Sequence, residues 1–234
     1  MSEKKKTVFF SEWAYVVGLR FLAIGVVFSE KSNFGVSMIV APAYVLYRFI
    51  NPFWSVFTFG MAEYCLQALL LIIMCLVIRS FKISYLLSFV TAFVYGWILD
   101  AFMLLGQLLP DAYIWQRGIY YLLGMLFAAM GVSMMFRTYI SAEVYELLVK
   151  EISQKFSINI HKFKTGYDFF SFLLAVVLSF AFFGFGNFVG VGWGTVVCAA
   201  VNGFIISRFS KLYDRRFEFK DALKWRTFFE NMPS

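Results

Sequence analysis

FGMAEYCLQALLLIIMCLVIRSFK, residues 59–82, contains enough apolar sequence to cross a bilayer, yet it carries Glu63 near its start and Gln67 four residues on. A helix rises 1.5 Å per residue, so about 20 apolar residues cross the roughly 30 Å of hydrocarbon. Such stretches recur along the chain: hydropathy predicts spans at 13–29, 58–79, 83–106, 112–136, 166–184 and 188–209. Composition agrees. Hydrophobic residues make up 61% and charged residues 15%, with a mean hydropathy of +0.75, whereas soluble domains carry about a quarter charged residues. The 234 residues therefore read as one all-α integral membrane domain, 1–234, with no soluble domain left over.

Two segments are weaker. FGVSMIVAPAYVLYRFI (34–50) is broken by Pro42, and YISAEVYELLVKEISQKF (139–156) is amphipathic, with Val144, Leu147, Leu148 and Ile152 opposite Glu143, Glu146, Lys150 and Glu151. Both are expected to form short helices that re-enter or lie at the interface. They also occupy matching places. An offset of 106 lays Gly25 on Gly131 and Gly60 on Gly166, and an offset of 107 lays Gly96 on Gly203. The chain thus reads as two repeats, about 12–106 and 112–212, followed by an amphipathic tail, 213–234. Three crossings in each repeat force the halves into opposite orientations.

Charge tests this independently. With the N-terminus inside, all of the 21 lysines and arginines except Arg20, Lys31, Arg48 and Arg117 fall on the cytoplasmic side, as expected for loops that are not translocated. The net charge of +7 is accounted for by topology, and no nucleic-acid partner is expected. MSEKKKTVFF starts like a signal peptide, but Glu12 and Arg20 interrupt the apolar run and no small-x-small site follows, so it is read as a retained first helix. Cys65, Cys75 and Cys198 show no CxxC spacing, and the lone His161 sits in a basic loop. HExxH, GxSxG and Walker patterns are absent, so neither a metal, a cofactor nor enzyme chemistry is expected.

FGVSMIVAPAY, FGMAEYCLQALLL, HKFKTGYDFFSFLLAVVLSFAFFG and above all GVGWGTVVCAAVNGFIISRFS resemble the YczE/YyaS/YitT-type bacterial membrane proteins over nearly the whole chain. The resemblance implies a multi-pass protein of the bacterial plasma membrane and implies little about activity.

An acid in a span costs about 2.5–3.5 kcal/mol on insertion scales and faces a bundle interior or an aqueous cavity. Gln67 shares the face of Glu63, and Asp168 stands near the matching place in the second repeat. These three, with Tyr64, Tyr44 and Trp193 as aromatic walls and with Asn202 and Arg20, form the candidate ligand-binding set. The glycines at 184, 186, 190, 192 and 194 around Trp193 predict irregular backbone or close helix contact. Structural readings compete: an ion pair between Glu63 and Arg20, Asp168 as a helix N-cap, and Asp100 reaching the outer interface. The two functions that fit are a transporter or substrate-binding subunit for a small molecule such as an organic cation, and a non-transporting scaffold that docks protein partners through 139–156 and the tail. The same tail suits the bilayer surface.

Overall fold

The computed structural model describes residues 6–110, 113–140 and 143–223. The elements in order are β1 (Thr7–Phe10), α1 (Ser11–Ser32), α2 (Ala41–Ile50), α3 (Phe59–Ile78), α4 (Ile83–Gly106), α5 (Ile114–Met135), α6 (Val144–Lys155), α7 (Ile160–Phe183), α8 (Trp193–Arg216) and β2 (Phe217–Lys220). Six of these helices are long and apolar enough to cross a membrane, and α2 and α6 are the two short ones. The predicted architecture of six spans and two short helices is therefore correct. Its helix ends are not. Polar turns extend the helices beyond their apolar runs, so α7 begins before the expected residue 166 and takes His161 into its first turn, and α8 continues past 209. The two short strands were not foreseen. They pair in parallel, Thr7 opposite Phe217 and Phe10 opposite Lys220, and replace the start of the expected free tail. The rest of that tail, 224–234, and Lys4 and Lys5 lie outside the described residues.

The repeat is visible in atomic detail at the centre, where α1 and α5 pack along their length. A Cβ on Gly25 would sit 2.5 Å from the Ala128 amide nitrogen and 2.8 Å from the Gly124 carbonyl oxygen. One on Gly131 would sit 2.7 Å from the Leu22 nitrogen and 2.6 Å from the Gly18 oxygen. Each atom in the first set maps onto the second by the offset of 106. Glycine lets the two backbones meet. As position advances along α1, from Gly18 to Gly25, the contact on α5 retreats from Gly131 to Gly124, so the two equivalent helices are antiparallel and the repeats are inverted.

The remaining packing follows the same symmetry. α4 lies on α1 as α8 lies on α5; α7 lies on α2 as α3 lies on α6; and α2–α3 matches α6–α7. Side-chain contacts sort the loops into two faces. One face gathers the ends near Lys82, which pairs with Glu151, and Lys164, which pairs with Glu146, together with the joined termini. The other gathers Lys31, bonded to the Leu109 carbonyl, and Phe34, bonded through its carbonyl to the Gly194 amide. The first, basic face holds both termini, as an even number of crossings requires.

Two pairs break the symmetry. α4 packs on α6, where Tyr85 donates to Glu151 (2.6 Å), with no packed α8–α2 equivalent among the described residues; the larger break is at α3–α4. α3 packs closely on α4 through Gly60, whose added Cβ would collide with the Gly96 carbonyl, and Asp100 ties the contact by accepting from the Thr58 hydroxyl (2.6 Å) and the Gly60 amide (2.7 Å). Half-buried Asp100 thus braces α4 against the start of α3, near the face opposite the basic one, which it was expected to reach. Among the described residues, the equivalent α7 and α8 form no packed pair, and Gly166 and Gly203, the counterparts of Gly60 and Gly96, each have open space where a Cβ would go. Gly60 stands in the first turn of α3, on the face opposite the basic one. Gly166 stands two turns into α7 from the basic face. The long helices α3 and α4 are therefore closed on each other, whereas α7 and α8 stand apart.

Candidate functional site

Glu63 and Gln67 meet the second repeat in the interior. α3 opens with Thr58, whose hydroxyl accepts from the Met61 amide, and this start places Glu63 and Gln67 one turn apart on the buried face, both 0% exposed. Opposite them stands the beginning of α6. The Gln67 amide group donates to Glu143 Oε2 (3.0 Å), and its Oε1 accepts from the Val144 backbone amide (3.1 Å). Gln67 therefore satisfies an amide of the first turn of α6, one of the donors a helix start leaves without a partner. Tyr145 donates its hydroxyl to Glu63 Oε2 (2.9 Å).

These bonds settle how the weak segment 139–156 sits. Val144 touches the middle of α3 at Gln67, and Lys155 donates to the Ile78 carbonyl at its end. α6 thus runs beside α3 from mid-depth to the basic face: it re-enters. α2 is the counterpart from the opposite face, with Phe49 stacked on Phe182 at 4.1 Å near the end of α7.

The cluster carries two carboxylates, one from each repeat. Glu63 Oε1, Glu143 Oε1 and the Tyr95 hydroxyl are buried without a hydrogen-bond partner, and Tyr95 lies in the field of both carboxylates. Among the described residues no basic side chain is ion-paired with Glu63 or Glu143. Burial, with a further contribution from Glu146, pushes the Glu143 carboxyl up to about 8. The start of α6 favours its anion, but loss of water outweighs that.

Of the expected set, the structure brings together only Glu63 and Gln67. Arg20 is exposed on α1, so the expected ion pair with Glu63 does not form and Tyr145 takes that place. Asp168 is not an N-cap, because α7 starts eight residues earlier; its Oδ1 is buried and unpartnered, in the field of Lys164 and Glu146. Asn202 Oδ1 is likewise unpartnered, next to Gly203. Asp168 thus faces α6, where Glu146 acts on it, and among the described residues no contact joins it to Asn202. Tyr64 turns away to pack on Phe93 (5.2 Å), and Trp193 is 62% exposed against Phe34 (4.8 Å). Tyr44 donates to Glu30 Oε1 (3.2 Å) and lies under Arg48, far along the chain from Glu63. It borders a cavity of about 340 Å³ with Glu30, Lys31, Asn33, Tyr47 and Arg48, and a smaller one of about 30 Å³ with Gly190 and Asn33. Neither cavity is lined by Glu63 or Gln67, in contrast to the expected wet crevice. The glycine loop is irregular as anticipated: Gly184, Gly186 and Gly190 have positive φ, and Gly190 lies against the Tyr44 ring.

Glu143 and Tyr145 were missed. Helical periodicity put Glu143 on the polar face of 139–156, but it precedes α6 as its N-cap, where periodicity does not apply. The available signal was an acid immediately before a short amphipathic helix in a repeat position predicted to re-enter.

The chain belongs to the family described as "Family of unknown function (DUF6198)", whose model matches residues 10–211. No curated protein and no solved structure matches it.

Proposed function

We propose that this member of a family of unknown function is a transporter that moves a small organic molecule across the membrane by exchanging which end of its inverted bundle is closed. The observation that carries this reading is the broken symmetry: Gly60 sits against Gly96 at one end, whereas Gly166 and Gly203 stand apart toward the other. Two halves of like build, in two packings, describe the two ends of one motion. Closing Gly166 onto Gly203 would give the second half the packing of the first, and opening Gly60 from Gly96 would complete the exchange. The tyrosine bonds within each half match. Tyr15 donates to Thr91 on α4, and its counterpart Tyr121 donates to the Gly194 carbonyl while meeting the backbone at Cys198, the position matching Thr91, so α8 keeps the register of α4 and the two halves differ in how α7 sits.

The substrate class is read from one cavity and from two unpartnered oxygens. The cavity of about 340 Å³ mixes Glu30 with Lys31 and Arg48 beside Tyr44 and Tyr47, which suits a small charged or amphipathic molecule. The unpartnered oxygens of Asp168 on α7 and Asn202 on α8 favour a substrate that donates hydrogen bonds, such as an organic cation. The basic face is taken as cytoplasmic, with both termini inside, and the resemblance to bacterial families points to a bacterial plasma membrane.

The test replaces Gly166 and Gly203 with cysteine in a chain from which Cys65, Cys75 and Cys198 have been removed, reconstituted in liposomes. Oxidation is expected to join the two cysteines within one chain, at a rate changed by ligands found in a thermal-shift screen of metabolites and organic cations. If the cysteines join only between chains, or with a second membrane protein, the open gap is a docking face and the scaffold reading replaces transport.

A further inference from the structure

The buried carboxylates have an incomplete set of partners. Glu63 Oε2 is held by Tyr145, Glu143 Oε2 by Gln67, and Gln67 Oε1 by the Val144 amide, which leaves Glu63 Oε1, Glu143 Oε1 and the Tyr95 hydroxyl free in a region 0–8% exposed. The groups facing this centre are few. α3 contributes Glu63, α4 contributes Tyr95, and Tyr15 of α1 lies in the field of Glu143. α6 contributes Glu143, Tyr145 and Glu146, and Tyr167 of α7 lies in the field of Glu63. The nearest cation among them, Lys164, is 3.8 Å from Glu146.

Two carboxylates in one buried cluster, Glu63 in the field of Glu143 and both shielded from water, cannot both stay ionised without a counter-charge. Three free oxygens are too few for a calcium ion, which takes six to eight, and the Gln67 amide group donates into the centre, repelling a cation. No cluster of three metal-binding side chains occurs among the described residues. A proton needs only one oxygen to sit on and one to point at, and this arrangement supplies both. It turns a stranded acceptor into a donor, with the Tyr95 hydroxyl to receive it.

We infer that Glu63 and Glu143 form a shared proton-binding site between the two repeats, whose occupancy governs the exchange of closed ends. This rests on the transport reading. With the proton present, Glu63 on α3 and Glu143 at the start of α6 tolerate each other across the repeat interface. With it absent, two like charges face each other across the contact that must hold while α3 and α4 are closed. Asp168 lies beside Tyr167, on which both it and Glu63 act, so the proton reaches the centre from the Asp168 side of α7.

The experiment uses the full chain in lipid nanodiscs, followed by infrared difference spectroscopy across pH. The carbonyl stretch of a protonated carboxylic acid should be present at neutral pH at about one per chain, vanish at alkaline pH, and be lost in Glu63→Gln and in Glu143→Gln. Tyr95→Phe removes a single hydroxyl and keeps the ring. It should move the pH midpoint of that band by about one unit, the worth of one hydrogen bond, and it keeps the test alive if the glutamine variants do not fold. A wild-type chain without such a band at neutral pH, or a band indifferent to Tyr95→Phe, overturns the site. In the same samples, maleimide labelling of Gly203→Cys should change at least fivefold across the midpoint. A titrating band with unchanged labelling keeps the proton site and overturns its coupling to movement. Ligand-dependent labelling without the band overturns the site and leaves transport standing.

Discussion

Gln67 links more of the interior than either acid does. Its amide group and its carbonyl oxygen are both committed to α6, to Glu143 and to the Val144 amide. Gln67→Leu keeps the volume and strands both partners, each at about 1–3 kcal/mol, so a large drop in thermal midpoint in detergent is expected, larger than that of Cys65→Ser on the exposed side of the same helix. Glu143 gives a pH signature. Its carboxyl is raised from 4.5 to about 8, so the folded chain holds this proton more tightly than the unfolded one. Stability should therefore fall as pH rises from about 4.5 to about 8, and Glu143→Gln should flatten that slope, as read by thermal unfolding at fixed ionic strength. Glu63 and Gln67 were legible because a polar residue in an oily run must face inward. Their partners were not, because nothing in the local pattern of 139–156 tells which residue precedes the helix and which side then meets α3.

Among the elements, the two glycine pairs should respond in opposite ways. Gly60→Ala would drive a methyl into the Gly96 backbone and is expected to cost about 1–3 kcal/mol of stability. Gly166→Ala meets nothing within 4 Å and should leave the thermal midpoint unchanged or slightly raised, since alanine favours helix. If the bundle exchanges its closed ends, Gly166→Ala should still slow ligand uptake. Stability and uptake measured on the same pair of variants would separate a packing role from a moving one. Glycine marked these contacts in the sequence, which is why Gly25, Gly60 and Gly96 found their counterparts from spacing alone. Whether a matched pair is closed or open is a property of tertiary packing and leaves no trace in the residues themselves.

For the whole molecule, inversion follows from three crossings per half and is written into the antiparallel contact of Gly18 and Gly25 with α5. Impermeant labelling of single cysteines at Ser210 and Asn33 should place them on opposite sides of the membrane, with Ser210 on the side of the N-terminus. The reverse pairing would refute the inverted arrangement. The two paired strands were beyond sequence reading, since four residues in each, TVFF and FEFK, carry no mark of a partner more than 200 positions away. That junction has a temporal meaning. A ribosome delivers Thr7–Phe10 some 210 positions before Phe217–Lys220, so β1 waits while α1 through α8 are made, and a nascent chain stopped short of β2 must thread those helices with β1 unfastened.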